Sequence, residues 1–94
     1  AASDVYKRQY YKNGKQEGLA TAWYRNGQKS WERHYKDGEL DGLEIWWHDN
    51  GQKTREIHYK NGKKDGLDTM WHTNGEKRSE IEYKDDVEVS RKEF

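Results

Sequence analysis

Polar and apolar residues alternate along most of this chain. Leu19, Thr21 and Trp23 fall on one side of an extended segment, as do Leu43, Ile45 and Trp47, and Leu67, Thr69 and Trp71. A period of two is the mark of a strand with one face turned to a core. A second segment follows each of these. In it Trp31, Arg33 and Tyr35 share a side, matched by Arg55, Ile57 and Tyr59 and by Ser79, Ile81 and Tyr83. Such segments, for example 43–48 and 53–60, have strand length, favour Trp, Tyr, Ile and Thr, and contain no Pro to interrupt a ladder.

Two sets of turn signals separate the segments. Asn26-Gly27, Asn50-Gly51 and Asn74-Gly75 form one set, and Asn13-Gly14, Asp37-Gly38 and Asn61-Gly62 the other. Such dipeptides supply the positive φ values that tight hairpins demand. A three-residue loop Arg25-Asn26-Gly27, with Gly in a left-handed bulge position, would place the Leu-Thr-Trp stripe and the Trp31/Arg33/Tyr35 stripe on one face. A two-residue turn would set Trp23 opposite Ser30 and break that stripe, so the three-residue loop is expected. Gly18, Gly42 and Gly66 have no turn partner and are read as bulges or close backbone approaches.

The pattern recurs every 24 residues. Tyr11, Tyr35, Tyr59 and Tyr83, each followed by Lys, open units spanning 11–34, 35–58, 59–82 and a partial 83–94. Strict self-similarity at such a period marks a repeat array. The fold class expected is all-β: a single-layer antiparallel meander of β-hairpins, about 3.5 repeats long, over roughly residues 10–94. One hairpin cannot bury enough surface to stand alone, so the units must share ladders and aromatic contacts. The last unit should be the weakest, because Asp86 replaces the turn Gly, although Val87 and Val89 still alternate.

Composition sets bounds on this reading. Hydrophobic residues make up 30%, charged residues 38% and mean hydropathy is −1.61, values that border on disorder. Against that, 18 basic and 18 acidic residues cancel, and five Trp and seven Tyr concentrate the apolar surface in few side chains. Lys alternates with Glu and Asp within every unit, so no basic stripe for nucleic acid is expected. No Cys is present, which excludes disulfides and Cys-based zinc sites, and no apolar run reaches bilayer-spanning length.

Residues 1–9 break the pattern. Arg8 stands where Glu32, Glu56 and Glu80 recur, and SDVYKRQ reads as a translated adapter or junction. This segment is expected to be a non-native leader outside the array. There is no initiator Met, so an upstream export signal would lie beyond this sequence, and localisation is open with the cytoplasm favoured.

The phrase YKNGKxDGL…W[YH]xNGxK…E…Y, repeated over residues 11–85, resembles the MORN repeat variant family, whose bacterial members are described as antitoxin components of toxin–antitoxin systems. The resemblance implies a β-hairpin array and a non-catalytic role in binding a protein, such as a toxin. One column departs from the family pattern: Ala20, Glu44 and Asp68 stand where Trp usually follows Gly-Leu.

His48 and His72, and His34 and His58, are expected on the face opposite the Leu-Trp stripe, near Glu32, Glu56 and Glu80. No three ligands converge by spacing, so a solvated polar face is the reading, with no metal or cofactor assigned. The Glu column reads as a cross-strand ion-pair ladder. The Trp23/Trp47/Trp71 and Tyr35/Tyr59/Tyr83 columns are attributed to the stack. No phosphate loop, catalytic Ser/His/Asp grouping or nucleophilic Cys is visible, so the chain is read as no enzyme.

Partner recognition is expected where the units differ. Tyr24, Trp46, His48, Met70 and His72 form adjacent rows, Ala22/Trp46/Met70 beside Tyr24/His48/His72, with Trp46 at the centre as a hot spot. Trp46 is expected to serve binding and Trp47 stability. The alternative function is a cell-surface module in which the aromatic face meets a glycan or a lipid headgroup.

Overall fold

A computed structural model of the chain describes residues 4–94, with side chains from Arg8 onward. In chain order the strands are β1 (Asp4–Arg8), β2 (Tyr11–Lys12), β3 (Lys15–Gln16), β4 (Gly18–Tyr24), β5 (Lys29–Lys36), β6 (Glu39–Leu40), β7 (Gly42–Trp47), β8 (Lys53–Lys60), β9 (Lys63–Trp71), β10 (Lys77–Lys84) and β11 (Val87–Glu93). One antiparallel sheet runs β1-β4-β5-β7-β8-β9-β10-β11, with β6 also on β5, and β2 pairs with β3 apart from it. The described chain contains no helix, and its smallest dimension is 14 Å against 40 and 33 Å. This is the single-layer hairpin meander that the 24-residue period predicts.

The two kinds of turn differ in chemistry. Between units, both central residues have positive φ: 51° and 84° at Asp37-Gly38, 51° and 81° at Asn61-Gly62. These are the mirror-image turns that match strand twist. Each tip then docks on the unit before it, where Gly38 N–H donates to the Gln16 carbonyl (2.9 Å) and Gly62 N–H to the Leu40 carbonyl (2.8 Å). Asp86, in the Gly position of the last such turn, holds φ 69° and makes the same contact to the Lys64 carbonyl (2.9 Å). Within units the expected three-residue loop forms: Tyr24 N–H donates to the Gln28 carbonyl and Gly27 N–H to the Tyr24 carbonyl. Here only the Gly has positive φ. Asn26 contributes its side chain instead, its Oδ1 accepting from Gln28 N–H at 2.9 Å, as Asn50 and Asn74 do in the later units.

The faces differ from the expectation, and the cause is one residue per unit. Trp23 pairs with Lys29, but Ala22 pairs with Trp31, so Ser30 is extra. Thr54 and Arg78 are extra in the same way, between Trp46↔Arg55 and Trp47↔Lys53 and between Met70↔Ser79 and Trp71↔Lys77. A bulge of one residue moves everything beyond it to the other face. Trp31, Arg33 and Tyr35 therefore share a side with Ala20 and Ala22, not with Leu19, Thr21 and Trp23.

Packing follows the true register. On the Trp31 face, Ala20, Ala22, Trp31, Ile57 and Ile81 are buried. On the Trp47 face, Leu19 and Leu67 stay 39% and 45% exposed. The stripe expected to form the core is thus the wetter side. Gly42 and Gly66 sit at bulges with φ 111° and 109°, and a Cβ on Gly66 would stand 3.3 Å from that of His58. They mark both a bulge and a close approach, as read from the sequence.

The array also begins earlier than expected. Lys7 pairs with Ala22 and Arg8 with Thr21. That is the register in which Trp31 and Glu32 meet Trp46 and Ile45 one unit later. Residues 4–8, assigned to a leader outside the fold, are an edge strand in the place of a preceding unit's second strand. Main-chain pairing needs no particular side chains, so an out-of-pattern sequence can fill that position. Residues 1–3 of that segment lie outside the described residues.

Candidate functional site

Side chains on the Trp31 face form a polar and aromatic chain along the array. Glu44 and Asp68, in the column that departs from the family pattern, are buried, Asp68 completely. Each meets an Arg. Arg33 Nε lies 2.9 Å from Glu44 Oε2, a charge contact without hydrogen-bond alignment. Arg55 grips Asp68 with a two-pronged fork at 3.0 and 2.7 Å, and Lys64 stands 3.8 Å from the same carboxylate. That hydrogen bond, ahead of the cost of burial, raises the Arg55 pKa, so its guanidinium stays charged. Arg33 also lies over Trp31 (4.0 Å) and Trp46 (5.2 Å), while Trp46 Nε1–H donates to Glu44 Oε1 at 3.1 Å.

The five candidate residues fall where the rows were drawn, on a better-covered face than expected. Trp46 packs against the buried cluster, its ring 6.3 Å from that of Trp31, so it contributes to stability as well as offering surface. Tyr24 Oη donates to the Trp47 carbonyl at 2.7 Å and ties the first hairpin to the second. His48, Met70 and His72 come together in an open groove of about 460 Å³, with Arg55, Thr73 and Arg78 also on its walls. Two arginines were missed. The signal was present: Arg55 stands in the column of Trp31, and Arg78 in the column of Ser30 and Thr54.

The remaining columns have structural employment. His34 and His58 lie on the Leu-stripe face, not opposite it, because the bulge carries them there. Their Nδ1 atoms approach the carbonyls of Leu43 (3.1 Å) and Leu67 (3.0 Å) in the next unit. A carbonyl only accepts, so Nδ1 carries the proton in these contacts. The Glu column is ion-paired, but along its own strand: Lys29 to Glu32 at 2.6 Å and Lys77 to Glu80 at 2.9 Å. Residues three apart in a regular strand face opposite ways, and the bulge between them brings them to one side. Among the described residues no three His, Asp or Glu side chains converge as a metal site.

Comparison with known families matches the MORN repeat variant at residues 16–37, 40–61 and 64–85, more than half of the chain. The chain belongs to the MORN repeat variant family. The three matches keep the 24-residue spacing and begin just before the bulged Gly of each unit, so a MORN repeat here is a hairpin plus its turn to the next. No curated protein and no solved structure matches this chain. Membership supports a repeat scaffold. No helix among the described residues is long and apolar enough to cross a membrane.

Proposed function

We propose that this chain is a non-catalytic scaffold that binds a protein partner on its Trp31 face, in the manner of an antitoxin or immunity protein for a bacterial toxin. The observation carrying this reading is the groove between the second and third hairpins, where His48, Met70 and His72 meet Arg55 and Arg78. Those positions vary between units, so the repeat geometry does not need them, and aromatic, Met and Arg side chains are enriched at interface hot spots.

The test is co-expression with the protein encoded beside this chain's gene. A stoichiometric complex, and relief of the growth arrest that the neighbour causes alone, are the expected results. Their absence, or turnover of a substrate by the purified chain, overturns the reading. A second reading has its own observation. On the opposite face, slots of about 350 and 270 Å³ lie beside Trp23 and Trp47 and beside Trp71, each with a Lys, which suits a glycan or a lipid headgroup at a cell surface. An export signal upstream, with binding to soluble oligosaccharides or anionic vesicles, would favour it.

A further inference from the structure

The repeats supply an internal control for the groove. At the first junction the positions one period earlier are Tyr24, Trp31, Trp46, His48, Asp49 and Thr54; at the second they are His48, Arg55, Met70, His72, Thr73 and Arg78. In the first, Trp31 is 8% exposed and packs ring against ring with Trp46, so aromatic bulk fills the space. In the second, Arg55 and Met70 replace the two rings and the groove opens to about 460 Å³. The charge changes with the shape. Asp49 gives way to Thr73 and Thr54 to Arg78, so the repeat positions that carry a carboxylate and a hydroxyl at the first junction carry a hydroxyl and a guanidinium at the second, where no acid lines the groove.

The charges around this groove do not balance. The Arg55 charge is met by buried Asp68. Among the described residues no carboxylate pairs with Arg78, which is exposed beside the donors of His48, His72 and Thr73. Met70 and Trp71 supply apolar contact in the same groove. We propose that it receives an acidic segment of a protein partner, a Glu or Asp carboxylate on Arg78 with a neighbouring apolar side chain on Met70. An arginine fork suits a carboxylate, and desolvation beside an apolar floor strengthens the contact.

The inference rests on reading this face as the protein-binding one, and it is tested without the natural partner. The probe is an acetylated hexapeptide alternating Glu and Leu, titrated into the ¹⁵N-labelled chain. Saturable amide shifts confined to residues 48, 54–55, 70–73 and 78 are expected, weakening as salt is raised. Arg78→Gln, and Thr73→Asp, which restores the acid of the first junction, should each weaken binding about tenfold, the scale of one charged contact. Thr73 is an exposed loop residue, so Thr73→Asp decides the matter if Arg78→Gln disturbs the fold. No shifts at millimolar peptide, equal shifts with a Lys-Leu peptide, or shifts at Lys60, Lys63 and Lys84 instead would overturn the proposal. A complex with the gene neighbour but no peptide shifts in the groove would overturn this inference alone. Peptide shifts without that complex would overturn the antitoxin reading alone.

Discussion

Exchanging the two faces makes a sharp stability prediction for Trp31 and Trp47. Trp31 is 8% exposed and lies against Ala20, Ala22, Tyr35 and Trp46, with the Arg33 guanidinium 4.0 Å from its ring centre. Truncation to Ala returns on the order of 150 Å² of apolar surface to water, about 4 kcal/mol at 25 cal/mol per Å². Loss of the cation–π contact adds roughly 0.5–1 kcal/mol. The sum sits at the upper end of the usual Trp→Ala range, about 3–5 kcal/mol. Trp47 is half-buried on the wetter face, with Lys29 Nζ a loose 5.8 Å from its ring, so Trp47→Ala should cost about 1–2 kcal/mol. For a chain of this size 1 kcal/mol moves Tm by about 4–8 °C, so Trp31→Ala should melt more than about 15 °C lower and Trp47→Ala about 5–15 °C lower. Thermal melts followed by near-ultraviolet circular dichroism, with urea titration beside them, measure both. If Trp47→Ala is the more damaging variant, the bulged register is wrong, and the burial argument fails with it.

Three further outcomes follow from particular contacts. Asp68→Ala leaves the Arg55 fork without its acceptor in a buried setting; since Arg55 and Lys64 are 33% and 28% exposed, the loss should be about 2–3 kcal/mol, below the full cost of an orphaned buried charge, read by urea unfolding. Gly66→Ala forces a side chain into φ 109° and within 3.3 Å of the His58 Cβ, so it should destabilise by at least about 1 kcal/mol, while Gly27→Ala, with open space around it, should lose only the conformational part. Burial first, and then the Glu44 carboxylate, raise the Tyr59 pKa above its ordinary value near 10. The folded state then holds this proton more tightly than the unfolded one, so the contribution is complete below about pH 10 and is lost as pH rises toward the folded pKa. Tyr59→Phe should remove that part of the alkaline loss in a pH series of melts.

The architecture was legible because its determinants are local. Asn-Gly and Asp-Gly turns, a period of two within segments and a 24-residue repeat each constrain the backbone without reference to distant contacts. Even the three-residue loop at Arg25-Asn26-Gly27 could be read. The bulge beyond it could not, because Ser30, Thr54 and Arg78 share no side-chain chemistry that would announce an unpaired residue. One clue did exist. Lys29 and Glu32, Lys53 and Glu56, and Lys77 and Glu80 keep a spacing of three in every unit, which is useless for ion pairing in a flat strand and suits a bulged one. The edge strand β1 was missed for a different reason: its place is fixed by main-chain pairing, which a search for repeated side chains does not see.

His48, Met70 and His72 came together although the faces were reversed. Trp46, Met70, His48 and His72 lie on first strands and their loop ends, while the extra residue lies on the second strand, so their mutual alternation never depended on the slipped register. What the slip changed is the opposing wall. With no bulge, Trp46 would face Thr54; with it, Trp46 pairs with Arg55, and one unit earlier Ala22 pairs with Trp31. The column opposite the variable row is therefore Trp31, Arg55, Ser79, itself the most divergent of the second strand. Two divergent columns facing each other across every junction let each junction take its own filling, apolar at the first and cationic at the second, while the Gly, Asn-Gly and Tyr columns keep one backbone. Such a difference between junctions requires no insertion or new loop. It arises from which side chains a bulge sets opposite one another.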